Sequence, residues 1–467
     1  MIRRWGLPAL LGAVSAVAGG LALDSPAGRS VPTGTAVASP VLSARRVPAL
    51  LAQTVADHRL RSDVDAALGA PALGGAREQS CVVVRRGARP IVDRRAEASL
   101  IPASTLKVLT AQAVLARLGP EERLLTEVRA AAPVAADGVV AGDLWLVGGG
   151  DPLLATADYA ASFPNQPQVT TPFERLADAL VEAGVRAVRG TVRGDESRFD
   201  TQRYLPSWKP SYREDGDVGP ASALVVNDGF VAYRPRPVAA EQPAVHAADV
   251  LAGLLRARGV VIGGPAASGT APADGTVVAA LPSPPMAEIV AEMLRESDNL
   301  TAELLVKELG HRFAGAGTTA AGVQVVRQTL AAGGLPVDAL ATVDGSGLDR
   351  SDRASCALLM AALGAAALPG DPVAAGLPVA GRDGTLSMRF VGHPAAGRLR
   401  AKTGSLSGVA GLAGFLDPPQ AGPPLAFALL ANDLPRDALG RRLQEDVAAA
   451  LARYPDAPPA ASLGPGR

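Results

Sequence analysis

Pro102-Ala103-Ser104-Thr105-Leu106-Lys107 is the stretch on which the reading of this chain turns. A proline near a helix start, good helix formers through Leu118 and the stop Gly119-Pro120 bracket one helix over 106–118, with Ser104 at its first turn. Residues three apart share a helix face, so the Ser104 hydroxyl and the Lys107 ammonium are within reach of each other. The helix N-terminus adds unpaired N–H groups and a positive dipole end beside that hydroxyl. Nucleophile, base and half of an oxyanion-binding site therefore come from a single turn. Alone, Ser-x-x-Lys is an ordinary helix start with a solvated lysine, so its weight depends on what accompanies it.

Two further strings follow in order, Ser297-Asp298-Asn299 and Lys402-Thr403-Gly404-Ser405. The first falls between a helix over 285–296 and another running from 300 through 307, where Ser, Asp and Asn are also the preferred capping residues. The second ends a strand at 399–404, where taken alone it is an edge lysine and a turn glycine. Composition sharpens both lysines. Of 45 basic residues only Lys107, Lys209, Lys307 and Lys402 are lysine, and half of these lie in the strings. Arginine cannot give up its proton to act as a base, which explains lysine at 107; at 402 either cation would serve a carboxylate. Together the strings supply a nucleophile, a proton acceptor, a relay and a cationic anchor, the parts of a covalent acyl-transfer site.

The rest of the chain excludes other chemistries. With 467 residues, nearly half apolar, and no net charge, it can bury more than one core and offers no basic surface for nucleic acid. His58, His246, His311 and His393 are scattered without metal-ligand spacing and lie in no catalytic string, which speaks against a zinc hydrolase and against a Ser-His-Asp site. No metal and no cofactor are expected. Arg3-Arg4 followed by an uncharged stretch through Leu23 reads as an export signal, removed after Ala16-Val17-Ala18 or retained as an anchor. The remainder then works outside the cytoplasm, where Cys81 and Cys356 are free either to pair or to stay as two small buried side chains.

Along the chain a helix is expected over 47–68, two strands within 81–93, then short strands and helices from 121 to 284 with strands at 142–147, 191–194 and 224–233. Gly148-Gly149-Gly150-Asp151 reads as a turn, and Asp195, Glu196 and Asp200 as loop surface. Helices at 173–183, 246–258, 318–332 and 354–366 and strands at 399–404, 409–416 and 425–431 follow, the last three as an antiparallel meander covered by a helix over 437–453.

The ordered trio resembles the penicillin-recognising serine enzymes, and most of all the D-alanyl-D-alanine carboxypeptidase/endopeptidase group of class C low-molecular-mass penicillin-binding proteins. Export, about 190 residues between Ser104 and Ser297, the string Gly381-Arg382-Asp383-Gly384-Thr385-Leu386 and Gly194-Asp195-Glu196-Ser197-Arg198-Phe199 select that group, and the glycine turn Asp344-Gly345-Ser346-Gly347-Leu348 also fits it. The resemblance implies an α/β serine β-lactamase/DD-peptidase-like transpeptidase fold, an antiparallel sheet flanked by helices with a helical subdomain and a β-rich insertion. It divides the chain into a leader or anchor (1–23), a Pro/Ser/Gly-rich linker (24–48), a peptidase domain (49–120 and 285–455), an insertion (121–284) and a disordered tail (456–467). It gives Ser104 the attack on the peptide between two terminal D-alanines, Lys107 the proton, Ser297 its relay, and Asn299, Lys402, Thr403 and Gly404 the substrate, with the Ser104 and Ser405 N–H groups as oxyanion hole. For Lys107 to act near neutral pH its pKa must lie roughly three below the ordinary value near 10.4, about 4 kcal/mol of differential stabilisation. Peptidoglycan stem peptides are the implied partners and β-lactams the implied inhibitors. A β-lactamase of the same fold and a catalytically silent cell-wall binder are the alternatives.

Overall fold

The computed structural model describes residues 47–365, 370–419 and 422–463, so the expected leader and nearly all of the expected linker lie outside the described residues. The chain divides into two compact units, the described residues 47–64 with 453–463, and 65–452. In the first, Tyr454 donates its hydroxyl to Asp57 Oδ1 at 3.0 Å and Arg453 pairs with Asp63 at 2.8 Å. Ala460–Leu463, in the expected tail, forms a 3-10 turn.

The second unit is built on strands β1 (Ser80–Arg86) and β2 (Arg89–Arg94), helices α1 (Lys107–Leu118), α2 (Met286–Glu296), α3 (Asn299–Ala314) and α4 (Cys356–Ala365), then strands β3 (Leu399–Leu406), β4 (Val409–Leu416) and β5 (Leu425–Ala431) and helix α5 (Asp437–Arg453). The strands form one antiparallel sheet in the order β3-β4-β5-β1-β2. Strand β4 is buried at every position, which explains why it reads as a continuous apolar run without alternation. Helix α1 is buried at seven positions because it runs through the core, in contact with α2, α3 and α4. Val108, Leu109, Met293, Leu305, Leu359 and Leu430 belong to that core. Cys81 and Cys356, left open by the sequence, form a disulfide that fastens β1 to α4.

Between α1 and α2 a second sheet sets Ala267–Ser268, Val192–Asp195, Leu144–Val147, Leu125–Ala130 and Thr276–Pro282 side by side. Helices Glu174–Glu182 and Pro243–Ala257 supply its core with Leu176, Leu180, Leu251 and Leu255. Leu125–Ala130 pairs antiparallel with Thr276–Pro282, so the segment leaves and rejoins the chain through adjacent strands that sequence reading missed. Two expectations are corrected here. The strand at 224–233 shrinks to Phe230–Ala232, because Asn227 and Asp228 hold φ of 55° and 52° and break the extended backbone. The acidic residues expected on a loop surface are structural partners. Asp195 is buried and accepts the N–H groups of Ser197 and Ala271 at 2.8 and 2.7 Å, Glu196 binds Arg203 and Ser222, and Asp200 takes the buried Lys307 ammonium. Buried donors of this kind need an anionic acceptor, which a surface reading overlooks. No helix among the described residues is long and apolar enough to cross a membrane.

Candidate active site

Ser104 lies in the 3-10 turn Ala103–Leu106 that leads into α1, one turn earlier than the regular helix. Ala103 holds φ of 47°, left-handed backbone that a residue with a Cβ adopts only when its surroundings impose it. Two close approaches impose it. A Cβ on Gly347 would stand 2.1 Å from Ala103 O, and one on Gly404 would stand 2.7 Å from Pro102 O. The turn is thus gripped between the 344–348 loop and β3, leaving the Ser104 side chain part-exposed between them. The space the resemblance reserves at Gly404 for substrate is filled on that side by the carbonyl of Pro102, so the missing side chain serves the grip on the nucleophile.

Lys107 is wholly buried, and its Nζ meets three oxygens, Ser104 Oγ at 3.1 Å, Asn299 Oδ1 at 2.6 Å and Ser346 O at 2.7 Å. Burial pushes its pKa down to about 8, against the upward pull of Asp344, Asp298, Glu303 and Asp352. Lys402, from β3, is equally buried; its Nζ donates to Ser297 Oγ at 2.8 Å and to Thr403 O at 3.0 Å. Burial holds it well below its usual range, and the nearby Lys107 cation pushes the same way. Its direct partner is therefore a hydroxyl, while the hydroxyl of Thr403, 3.2 Å from that of Thr385, stays part-exposed at the strand surface.

The Ser297-Asp298-Asn299 string performs both duties that its composition suggests. Ser297, with φ of 64°, ends α2, and Asp298 caps α3 by accepting the Thr301 N–H at 3.2 Å. The left-handed step carries Ser297 Oγ to Lys402 while Asn299 faces Lys107. Asn299 Nδ2 donates to Asp217 O at 2.7 Å, which fixes the carboxamide with its oxygen toward the lysine and leaves one N–H free of that bond. A cavity of about 300 Å3 opens at this junction, walled by Leu153, Phe163, Val218 and Phe230 together with Ser297, Asp298 and Asn299.

Ser104, Lys107, Ser297, Asn299, Lys402 and Thr403 thus come together, with Gly404 behind the nucleophile's turn and Ser405 exposed at the end of the same strand. Sequence reasoning missed Ser346 O and Asp217 O, backbone acceptors whose positions no side-chain motif encodes. It also missed Glu303, and it took Asp344 only as the start of a glycine turn. Asp344 accepts the N–H groups of Gly347 and Asp349 and of the Trp208 ring at 2.7, 2.8 and 2.9 Å. Among the described residues no group of three His, Cys, Asp or Glu is disposed to hold a metal ion.

Known proteins are similar along most of the chain. Residues 60–241 and 231–454 match the family described as D-Ala-D-Ala carboxypeptidase 3 (S13). A protein of Actinomadura sp. named D-alanyl-D-alanine carboxypeptidase is 30% identical over 473 residues, with 85% of each chain covered. A carboxypeptidase of Mycobacterium tuberculosis is 32% identical over 345 residues, covering 72% of this chain and 71% of that one. In fold, the chain is similar to the crystal structure of penicillin binding protein 4 from Haemophilus influenzae, with a TM-score of 0.68, 21% identity, and coverage of 80% of this chain and 95% of that one. That likeness establishes the expected fold class, an antiparallel sheet flanked by helices in the manner of the penicillin-binding enzymes.

Proposed function

We propose a mechanism from the premise that this chain belongs to the D-Ala-D-Ala carboxypeptidase 3 (S13) family. It is a serine D-alanyl-D-alanine carboxypeptidase/endopeptidase that acts on peptidoglycan and binds β-lactams. The observation that carries the residue roles is the 3.1 Å approach of Lys107 Nζ to Ser104 Oγ, within a site where both ammonium groups are buried. Neutral Lys107 takes the proton from Ser104 Oγ as that oxygen attacks the carbonyl carbon between the two D-alanines. Negative charge on the carbonyl oxygen is met by the N–H groups of Ser104 and Ser405, about 3 kcal/mol for each donor. Ser297, held by Lys402, passes its proton to the departing D-alanine nitrogen as the peptide bond breaks and receives in return the proton that Lys107 took from Ser104, so Lys107 is neutral again for the hydrolysis step. Thr403 takes the terminal carboxylate, with Lys402 behind it supplying positive potential, and the remaining N–H of Asn299 holds the substrate amide. Water then attacks the ester, and the proton it loses returns by way of Lys107 to Ser104.

The peptidase domain is assigned to 49–120 and 285–455 and the accessory region to 121–284. Its substrate places the enzyme outside the cytoplasm, with 1–23 as leader or anchor and 24–48 as linker. The test is Ser104→Ala, which is expected to abolish release of D-alanine from a synthetic muramyl pentapeptide and to abolish the covalent penicillin adduct seen by mass spectrometry. Parental D-alanine release from that variant overturns the assignment. Slow penicillin turnover separates the peptidase from a β-lactamase.

A further inference from the structure

We propose that Glu303 is a positioning residue for the acylation step, holding the carbonyl that aims Lys107 at Ser104. The inference rests on Lys107 being the base. Glu303 lies four residues after Asn299 on α3, so the two side chains share a helix face. It is 1% exposed, and its Oε1 accepts the N–H groups of Gly345 and Ser346 at 3.0 and 2.9 Å. Of the two peptides so held, the second presents Gly345 O to the Thr110 hydroxyl at 2.8 Å, and the peptide that follows directly, its own N–H taken by Asp344, presents Ser346 O to Lys107 Nζ at 2.7 Å. Gly345 makes the contact possible, because a Cβ there would stand 2.4 Å from Val306 Cγ2. Helix α3 therefore fixes two of the lysine's three partners, Asn299 Oδ1 directly and Ser346 O through Glu303.

The chemical consequence concerns the neutral amine. Asn299 Oδ1 and Ser346 O can only accept, so the two N–H bonds of a neutral lysine are drawn to them. Its lone pair is then left facing Ser104 Oγ, the one partner able to donate a proton. Without the Ser346 carbonyl the amine can rotate, and its lone pair is no longer held in line with the hydroxyl. The charged and titratable groups around Lys107 are Asp344 and Asp352 from the loop, Asp298 from the junction, Glu303 from α3 and Lys402 from β3. Burial, aided by Asp344, pushes Glu303 up to about 8, so at neutral pH it is mostly the uncharged acid and glutamine is its close mimic.

The experiment measures the rate of penicillin acylation of Ser104 across pH in the parent, Glu303→Gln and Glu303→Met, with folding checked by circular dichroism. Methionine keeps the bulk and removes the acceptor. It is expected to slow acylation about 100-fold, the scale of a small misplacement of a catalytic group. Its acidic limb should also move to lower pH, since the ammonium loses an acceptor that favoured its charged form. Glutamine should restore the parental rate and the parental limb. A methionine variant with parental rate and limb, or a glutamine variant as slow as methionine, overturns the proposal. Should the methionine protein fail to fold, the glutamine protein decides alone, a parental rate and limb upholding it and a 100-fold loss overturning it. A parent that forms no adduct on Ser104 condemns the reading of the site itself, whereas a normal parent beside an unaffected methionine variant condemns only the role of Glu303.

Discussion

Lys107 shows how burial does chemical work at a single residue. All three of its hydrogen-bond partners are neutral oxygens, and among the described residues no carboxylate pairs with it, so the desolvation of its ammonium is only partly offset. Its pKa of about 8 leaves about a tenth of the population neutral at pH 7. Because only that fraction can accept the serine proton, acylation is expected to rise with pH and level off above a midpoint near 8. Stopped-flow acylation by a chromogenic cephalosporin between pH 6 and 9.5 checks this. A midpoint near the ordinary lysine value, around 10, would show the amine to be solvated during reaction. Scarcity of lysine made this residue legible in the sequence, since a chain that otherwise uses arginine keeps lysine where a proton must leave. What orients it was illegible: the Ser346 carbonyl carries no side-chain signature, and Glu303 within a helix looks like any good helix former.

At the scale of elements, the site is a turn pressed between two glycines. Gly347 has φ of 82° and a Cβ there would meet Ala103 O at 2.1 Å. Gly87, with φ of 59° in the β1–β2 turn, has nothing within 4 Å of that position. The pair separates backbone strain from contact. Both Gly87→Ala and Gly347→Ala should lower the melting temperature through the left-handed φ, at about 1–3 kcal/mol for each. Only Gly347→Ala should also slow acylation, because the displaced carbonyl belongs to the residue before the nucleophile. Equal acylation rates in the two variants would mean that the grip on Ala103 does not matter to the chemistry. Elements were legible to the degree that their ends carry glycine, proline or a capping side chain; α1, α2 and α3 lie within a residue or two of their expected starts. Leu125–Ala130 was not legible, since its buried face is Thr126, Val128 and Ala130 while Leu125 is exposed, which hides the alternation that marks a strand.

Over the whole molecule, equal numbers of acidic and basic residues conceal an uneven interior. Burial is the first cause that raises Asp151 to about 6, Asp228 and Glu292 to about 7, and Glu303 to about 8, and Asp352 lies higher still at about 10. A carboxyl group raised in this way holds its proton in the folded state at pH values where the unfolded chain has released it. The folded state therefore binds more protons than the unfolded state, and stability falls as pH rises through each raised value. Most of the opposing groups act elsewhere on the pH scale. Asp65, Asp143 and Asp178 are lowered and titrate below the ordinary carboxyl range, and His246 and His311 are lowered and contribute only below their ordinary 6.5. Lys107, lowered to about 8, adds stability only as pH climbs above that value. Lys402, held well below its usual range, also adds stability as pH rises, but it stands against four carboxyls raised to about 7 or above, so between pH 6.5 and 8 the melting temperature should decline over a range in which many proteins are level. Scanning calorimetry at constant ionic strength measures this directly, and Glu292→Gln should flatten the decline because one of the titrating groups is gone. A melting temperature that holds or climbs from pH 6.5 to 8 would mean that these carboxyls reach water or a cation in solution.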